Sequence, residues 1–112
     1  MNNRVSLIGY VGQKPDVRTF ESNRKKATFS LATNDYYTND KGERVESTEW
    51  HNLVVWGKLA DVVEKYVEKG RELVVEGKIT YRSYDDKEGN KRYVTEISVS
   101  DLHLCGKKGD SK

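Results

Sequence analysis

A single cysteine, Cys105, rules out an intramolecular disulfide and with it a fold stapled by bridges. That usage fits a reducing compartment, and Cys105 itself reads as a small, semi-buried hydrophobe. Proline is equally scarce: the only one, Pro15, sits beside Asp16 in a turn. No apolar run approaches the roughly 18 residues of a membrane span. The opening MNNRVSLIGYVG also lacks the long apolar stretch of a signal peptide. A cytoplasmic protein with no membrane partner is expected. Neither charge dominates, since 20 Lys and Arg stand against 18 Asp and Glu, for a net +2. Nucleic-acid binding therefore has to be argued from where the cations sit, not from their total. Catalytic signals are thin. His51 has no partner at zinc spacing, and His103 with Cys105 makes a lone H-x-C, so no metal and no cofactor are expected. Asp85, Asp86 and Glu88 crowd one glycine-containing loop without an activating base, which suits a solvated loop better than a metal-dependent nuclease. An enzyme is not expected.

What the chain does have is rings. Seven Tyr, two Trp and two Phe exceed what the core of a single 112-residue domain with 35% hydrophobic residues can absorb. The stretch TEWHNLVVWGK (48–58) shows the surplus most plainly. As a strand it puts Trp50, Asn52, Val54 and Trp56 on one face and His51, Leu53 and Val55 on the other. One set can fill the core, which leaves the tryptophans for a partner, a subunit interface or the helix.

The remaining elements follow from periodicity. RVSLIGYVG (4–12) is a first strand with Gly9 and Gly12 as bend points, and ATFSLAT (27–33) is a second with Phe29 and Leu31 inward. ESNRKK (21–26) is a turn carrying the basic triplet Arg24, Lys25 and Lys26. In KLADVVEKYVEKG the apolar residues Leu59, Val62, Val63, Tyr66 and Val67 form one helical stripe, with Gly70 as the C-cap. RELVVEGKITYRSY (71–84) places Leu73, Val75, Ile79 and Tyr81 on one side and Lys78, Thr80, Arg82 and Tyr84 on the other. RYVTEISVSDLHL (92–104) is the last strand, and GKKGDSK (106–112) is a short flexible tail. The fold class is all-β: a five-stranded OB-fold barrel over residues 1–105, with one α-helix between strands 3 and 4. Outward rings interleaved with Lys and Arg suit single-stranded nucleic acid, whose bases stack on aromatics while cations follow the phosphates.

RVSLIGYVGQKPDVR (4–18), FSLATNDYY (29–37), TEWHNLVVWGKLADVVEKYVEKG (48–70) and VVEGKITYRSY (74–84) resemble the bacterial single-stranded DNA-binding protein family. The resemblance implies a homotetramer that binds and protects single-stranded DNA in replication, recombination and repair, in the bacterial cytoplasm at the nucleoid. It implies base stacking by Tyr37, Trp50, Trp56 and Tyr84, and a subunit contact at His51. Tyr37 lies on the core side by alternation from Phe29, where Tyr36 would face the tryptophans, so the strand must bend after Ala32 for the carry-over to hold. Lys14, Arg18, Lys58, Lys78 and Arg82 flank the proposed stacking face and are the phosphate candidates. The family's acidic, phenylalanine-ended tip, which recruits replication and repair proteins, has no counterpart in GKKGDSK, so that recruitment is expected to be missing from this chain. A replication-restart or plasmid-borne relative, and an OB-fold protein-interaction module, remain as alternatives.

Overall fold

The computed structural model describes residues 2–105. In chain order these form β1 (Val5–Val11), β2 (Asp16–Thr19), a 3-10 turn (Glu21–Asn23), β3 (Lys25–Thr38), β4 (Arg44–Trp56), α1 (Lys58–Tyr66), β5 (Glu72–Asp85) and β6 (Lys91–Cys105). The expected tail, 106–112, lies outside the described residues.

The strands pair in the order β1-β5-β6-β4-β3-β2, and β1 also pairs with β3. That extra pairing, at Tyr10–Ala32 and Val11–Leu31, closes β1, β5, β6, β4 and β3 into a five-membered barrel. A second short junction joins β4 to β6 in parallel, at Leu53–Ile97 and Val54–Ser98. This is the OB-fold barrel, with one correction. The helix follows the fourth strand in chain order, not the third, because β2 is an additional strand. β1 and β2 lie end to end along β3, as one stave broken at residues 12–15. Pro15 lacks a backbone donor and cannot continue a ladder, so the stave restarts at Asp16.

Alternation fixes the core. Ala27, Phe29 and Leu31 of β3, Leu53 and Val55 of β4, Leu73 and Val75 of β5, and Ile97, Val99 and Leu102 of β6 all point inward and are buried. On β6 the inward spacing changes between Val99 and Leu102. A register shift at Glu76/Gly77 leaves Ser100 with no residue opposite it, so both side chains still reach the core. Gly9 allows the closure with β3, because a Cβ there would run into the backbone carbonyl of Ala32.

The helix plugs the barrel with Ala60 and Val63, and Val67 just past its end packs with them. It is shorter than the apolar stripe suggests. It stops at Tyr66, whose ring is exposed, and the Gly70 N–H donates to the Val11 carbonyl in the return loop instead of capping α1. Lys25 fastens the helix to β3 by bridging Asp61 (2.7 Å) and Glu64 (2.6 Å). Those hydrogen bonds, that to Asp61 foremost, hold the Lys25 ammonium above its ordinary range, and the Asp61 carboxyl is correspondingly pulled down. Past Thr33 and Tyr81 the β3–β4 and β5–β6 hairpins leave the core and run on as exposed arms.

Candidate nucleic-acid interface

The β3–β4 ladder runs from Lys26–Trp56 to Thr38–Arg44 without a shift in register. Directly paired residues share a face, and faces alternate along each strand. One continuous outer face therefore carries Trp56 opposite Lys26, Trp50 opposite Ala32, and Tyr36 opposite Glu46. At ~3.3 Å per residue, Trp56 and Trp50 stand ~20 Å apart and the row of Tyr36 lies ~13 Å further on. β2 adds to the same face, since Arg18 pairs with Lys26 and Asp16 with Thr28. Arg18, Lys26 and Trp56 thus form one cross-strand row.

The expected Tyr37 lies off this row: the register does not shift past Ala32, so Tyr37 shares its face with His51. Both tyrosines are 55% exposed. Tyr36 is the one on the tryptophan face, where the Arg44 guanidinium lies 4.2 Å from its ring centroid and its hydroxyl donates to Glu46.

Each ring on this face is held differently. Trp50 is 62% exposed, and its six-membered ring lies over Gly12, so closely that a Cβ on Gly12 would collide with it and press on the Ser30 hydroxyl. The Gly12 N–H donates to the Ser30 carbonyl at 3.0 Å, which fixes the backbone beneath the ring. Trp56 is the most covered of the set, at 38% exposed. Arg24 lies 4.4 Å and Lys26 5.4 Å from its centroid, and the Phe20 ring stands 6.0 Å away at 36°. The basic triplet is thus split by strand alternation: Arg24 and Lys26 go to the tryptophan, whereas Lys25 goes to the helix.

The β5–β6 arm brings a second strip of rings and cations alongside. Lys78, Thr80, Arg82 and Tyr84 share a face of β5, as expected. Arg82 meets the first face directly. It lines one groove with Thr28, Asn52 and Val54, and a second with Arg18, Phe20 and Lys26. Its Nε donates to Glu96 at 2.9 Å, and that carboxylate is only 13% exposed, so a sheltered acid aims an exposed guanidinium. Arg82 also lies 5.9 Å from the Tyr84 ring. Arg18, Arg24, Lys26 and Arg82 thereby converge on the outer surface of a chain whose overall charge is nearly balanced.

The other expected cations sit elsewhere. Lys14 lines a cleft with Pro15, Val17, Val63, Glu64 and Val67 on the helix side of the barrel. Lys58 is the exposed first residue of α1, and Lys78 is exposed on β5 opposite Ser98. His51, half-buried on the opposite face of β4, shares a 2.9 Å hydrogen bond with the Thr33 hydroxyl. In the β5–β6 loop, Asp86 accepts from the backbone of Asn90 and Glu88 and from Arg92 Nε. These bonds pull its carboxyl below the usual range, the Asn90 N–H first among them, and spend it on the turn. Among the described residues no three His, Cys, Asp or Glu side chains are grouped to hold a metal, and no helix is long and apolar enough to cross a membrane.

Phe20 and Arg44 escape sequence reasoning. Phe20 follows a strand too short to read, and Arg44 lies past a polar loop. Counting pairs back from the Gly42 turn could have found Arg44.

Comparison with known proteins finds relatives both by sequence and by fold. The profile described as the Single-strand binding protein family matches residues 2–105. A single-stranded DNA-binding protein of Bacteroides thetaiotaomicron is 50% identical over 109 residues, covering 96% of this chain and 68% of the relative. Single-stranded DNA-binding protein 1 of Chlorobaculum tepidum is 43% identical over 107 residues, covering 95% and 66%. The chain thus spans about two thirds of the length of these relatives. Among solved structures, Plasmodium falciparum SSB in complex with ssDNA superposes with a TM-score of 0.85 at 34% identity, covering 95% of this chain and 96% of the other. A deletion mutant of the single-stranded DNA binding protein from Thermus aquaticus gives 0.82 at 27% identity, covering 96% and 52%.

Proposed function

This chain belongs to the single-strand binding protein family, and from that premise we propose that it binds single-stranded DNA without sequence preference. Its role is to cover and protect exposed strands during replication, recombination and repair, by binding and not by catalysis. One observation carries the reading above the others: Trp56, Trp50 and Tyr36 line a single face of an unbroken ladder, with Arg18, Lys26 and Arg82 beside them.

The physical logic is that of single strands. Unpaired bases expose π-faces that stack on any aromatic ring, so a line of rings is tolerant of sequence. Phosphates meet the cations, with Arg18, Lys58, Lys78 and Arg82 as candidates and Lys14 the most remote. Tyr36 replaces Tyr37 in the stacking set, and Tyr84 joins it from the second strip. A duplex, whose bases are already stacked, gains nothing from such rings.

We assign assembly as a homotetramer, with His51 at a subunit contact, on the family resemblance and on the number of rings left outside a small core. The setting is the bacterial cytoplasm at the nucleoid, as the curated relatives are bacterial. Capture of other replication proteins by a terminal tip concerns segments outside the described residues.

Titration with thymidine oligomers under tryptophan fluorescence tests the binding. Quenching with a salt slope of roughly −0.7 per neutralised phosphate is expected. No response to oligomers would leave the exposed tryptophans to a protein partner. A monomer in sedimentation equilibrium at micromolar concentration would refute the tetramer.

A further inference from the structure

One ring on this face belongs to no expected set. Phe20 is 46% exposed, although nothing in a soluble barrel requires a phenylalanine to stand in water. Single exposed apolar side chains are ordinary, but the surroundings of this one are not. It forms a wall of a cleft of about 240 Å³ whose other walls are Asp16, Arg18, Lys26, Thr28 and Arg82. Three of those six residues are cations, and their charge is opposed from within the cleft by Asp16 alone.

The backbone holds Phe20 in place at some cost. Its N–H donates to the Arg24 carbonyl at 2.7 Å, closing a tight loop through Glu21–Asn23. Ser22 and Asn23 both take left-handed backbone, with φ of 67° and 60°. Successive non-glycine residues in that region are uncommon, and such geometry persists where the surrounding structure enforces it. Its effect is to fold the chain back so that Phe20 stands beside Trp56 at the end of the Arg18–Lys26–Trp56 row. Trp56 already carries Arg24 and Lys26 against its ring. Phe20 is the more exposed ring of the pair, and it faces the cleft.

We propose that this cleft is a nucleotide subsite in its own right. Phe20 stacks on one base, and Arg18, Lys26 and Arg82 hold the adjoining phosphate. The inference rests on the single-strand binding reading and deepens it. It names a fourth ring on the tryptophan face and makes the 3-10 turn, not a strand, its support. It also gives the strand a route from Trp56 across the cleft to the β5–β6 arm, because Arg82 lines both this cleft and the groove over Asn52 and Val54.

The test moves the fluorophore. In a Trp50→Phe/Trp56→Phe background, Phe20→Trp places the only tryptophan in the cleft. The reference, in the same background, is Tyr93→Trp, an exposed position that shares its face with Tyr81 and not with Arg82. Binding of a dye-labelled thymidine oligomer is followed separately by anisotropy. Saturating oligomer is expected to quench emission from position 20 strongly and from position 93 little. Phe20→Ala in the otherwise unaltered chain is expected to weaken binding about fivefold or more, with Phe20→Tyr restoring it, since a stack needs the ring and not the residue. Anisotropy showing tight binding while position 20 stays unquenched, or is quenched no more than position 93, overturns the subsite and leaves the general function standing. Absence of binding by the unaltered chain overturns both.

Discussion

Gly12 offers a way to disturb one ring without touching it. A Cβ added there would meet the Trp50 ring and the Ser30 hydroxyl. The backbone cannot easily yield, since the Gly12 N–H is bonded to the Ser30 carbonyl. The ring can yield, because it is 62% exposed and has open space outward. In Gly12→Ala it should therefore leave its seat. A tryptophan buries at most ~250 Å², so the 38% of Trp50 now covered corresponds to ~95 Å² and, at ~25 cal/mol/Å², to ~2 kcal/mol as an upper bound. Partial displacement should cost the fold about 1 kcal/mol or less. DNA binding should suffer by up to the value of one stack, ~1–3 kcal/mol, or about 5- to 150-fold. The assay is a double-mutant cycle on oligomer affinity, with Gly12→Ala, Trp50→Ala and both together. If Gly12 acts only through the ring, Gly12→Ala adds almost nothing in the Trp50→Ala background. Full additivity, or a Gly12→Ala variant with unchanged affinity and unchanged Trp50 emission, would refute the seating argument.

The same geometry separates Tyr36 from Tyr37: Tyr36→Ala should weaken oligomer binding about fivefold or more, while Tyr37→Ala stays within about twofold, and the reverse order would contradict the ladder. Arg82→Gln should lower the salt slope by about 0.7 if one phosphate is lost, with thymidine and adenine oligomers affected alike; an unchanged slope removes Arg82 from the path. Stability should depend on pH at both ends. Arg4 holds the Glu76 carboxyl below its ordinary 4.5 and the Asn90 N–H holds Asp86 below 3.8, so their contributions are complete above those values and disappear as pH falls through the lowered ones. Lys25 is held above its ordinary 10.5, so its contribution is complete below that value and disappears as pH rises through the raised one. Thermal melts should accordingly plateau between 4.5 and 10.5, and Lys25→Met should flatten the alkaline decline and also remove the share of the acid decline that Asp61 contributes; a melting temperature that rises on acidification below 4.5 would contradict this.

Much of this was legible in the residues wherever one side of an element is buried. Phe29 and Leu31, Leu53 and Val55, and Leu73 and Val75 alternate because their strands face core on one side only, and this signal delivers Trp50 and Trp56 outward. Alternation favours Tyr36 over Tyr37, the residue the resemblance implies, and the ladder keeps that alternation to its end. β2 was invisible for a physical reason: it has four residues, of which only Val17 turns inward, and it gains its order from pairing with β3. Phe20 is hidden because its position depends on left-handed backbone at two successive residues, Ser22 and Asn23, and serine does not advertise it. The helix reads too long from spacing because Val67 continues the apolar stripe and is buried, although its backbone is already extended.

The two short junctions of the barrel give it a mechanical character. β1–β3 is joined at Tyr10–Ala32 and Val11–Leu31, and β4–β6 at Leu53–Ile97 and Val54–Ser98, whereas the other joints are long ladders. The barrel is in effect two stiff shells, β1–β5–β6 and β2–β3–β4, latched along two narrow seams. The proposed DNA path begins on one shell, at Trp50 and Trp56, and ends on the other, at Arg82 and Tyr84. A bound strand then serves as a strap across the β4–β6 seam. Whatever binds the latched form in preference to the open one stabilises it by mass action. Amides around Leu53, Val54, Ile97 and Ser98 should therefore exchange more slowly when oligomer is bound, with the protection greatest at the seam and not at the rings themselves.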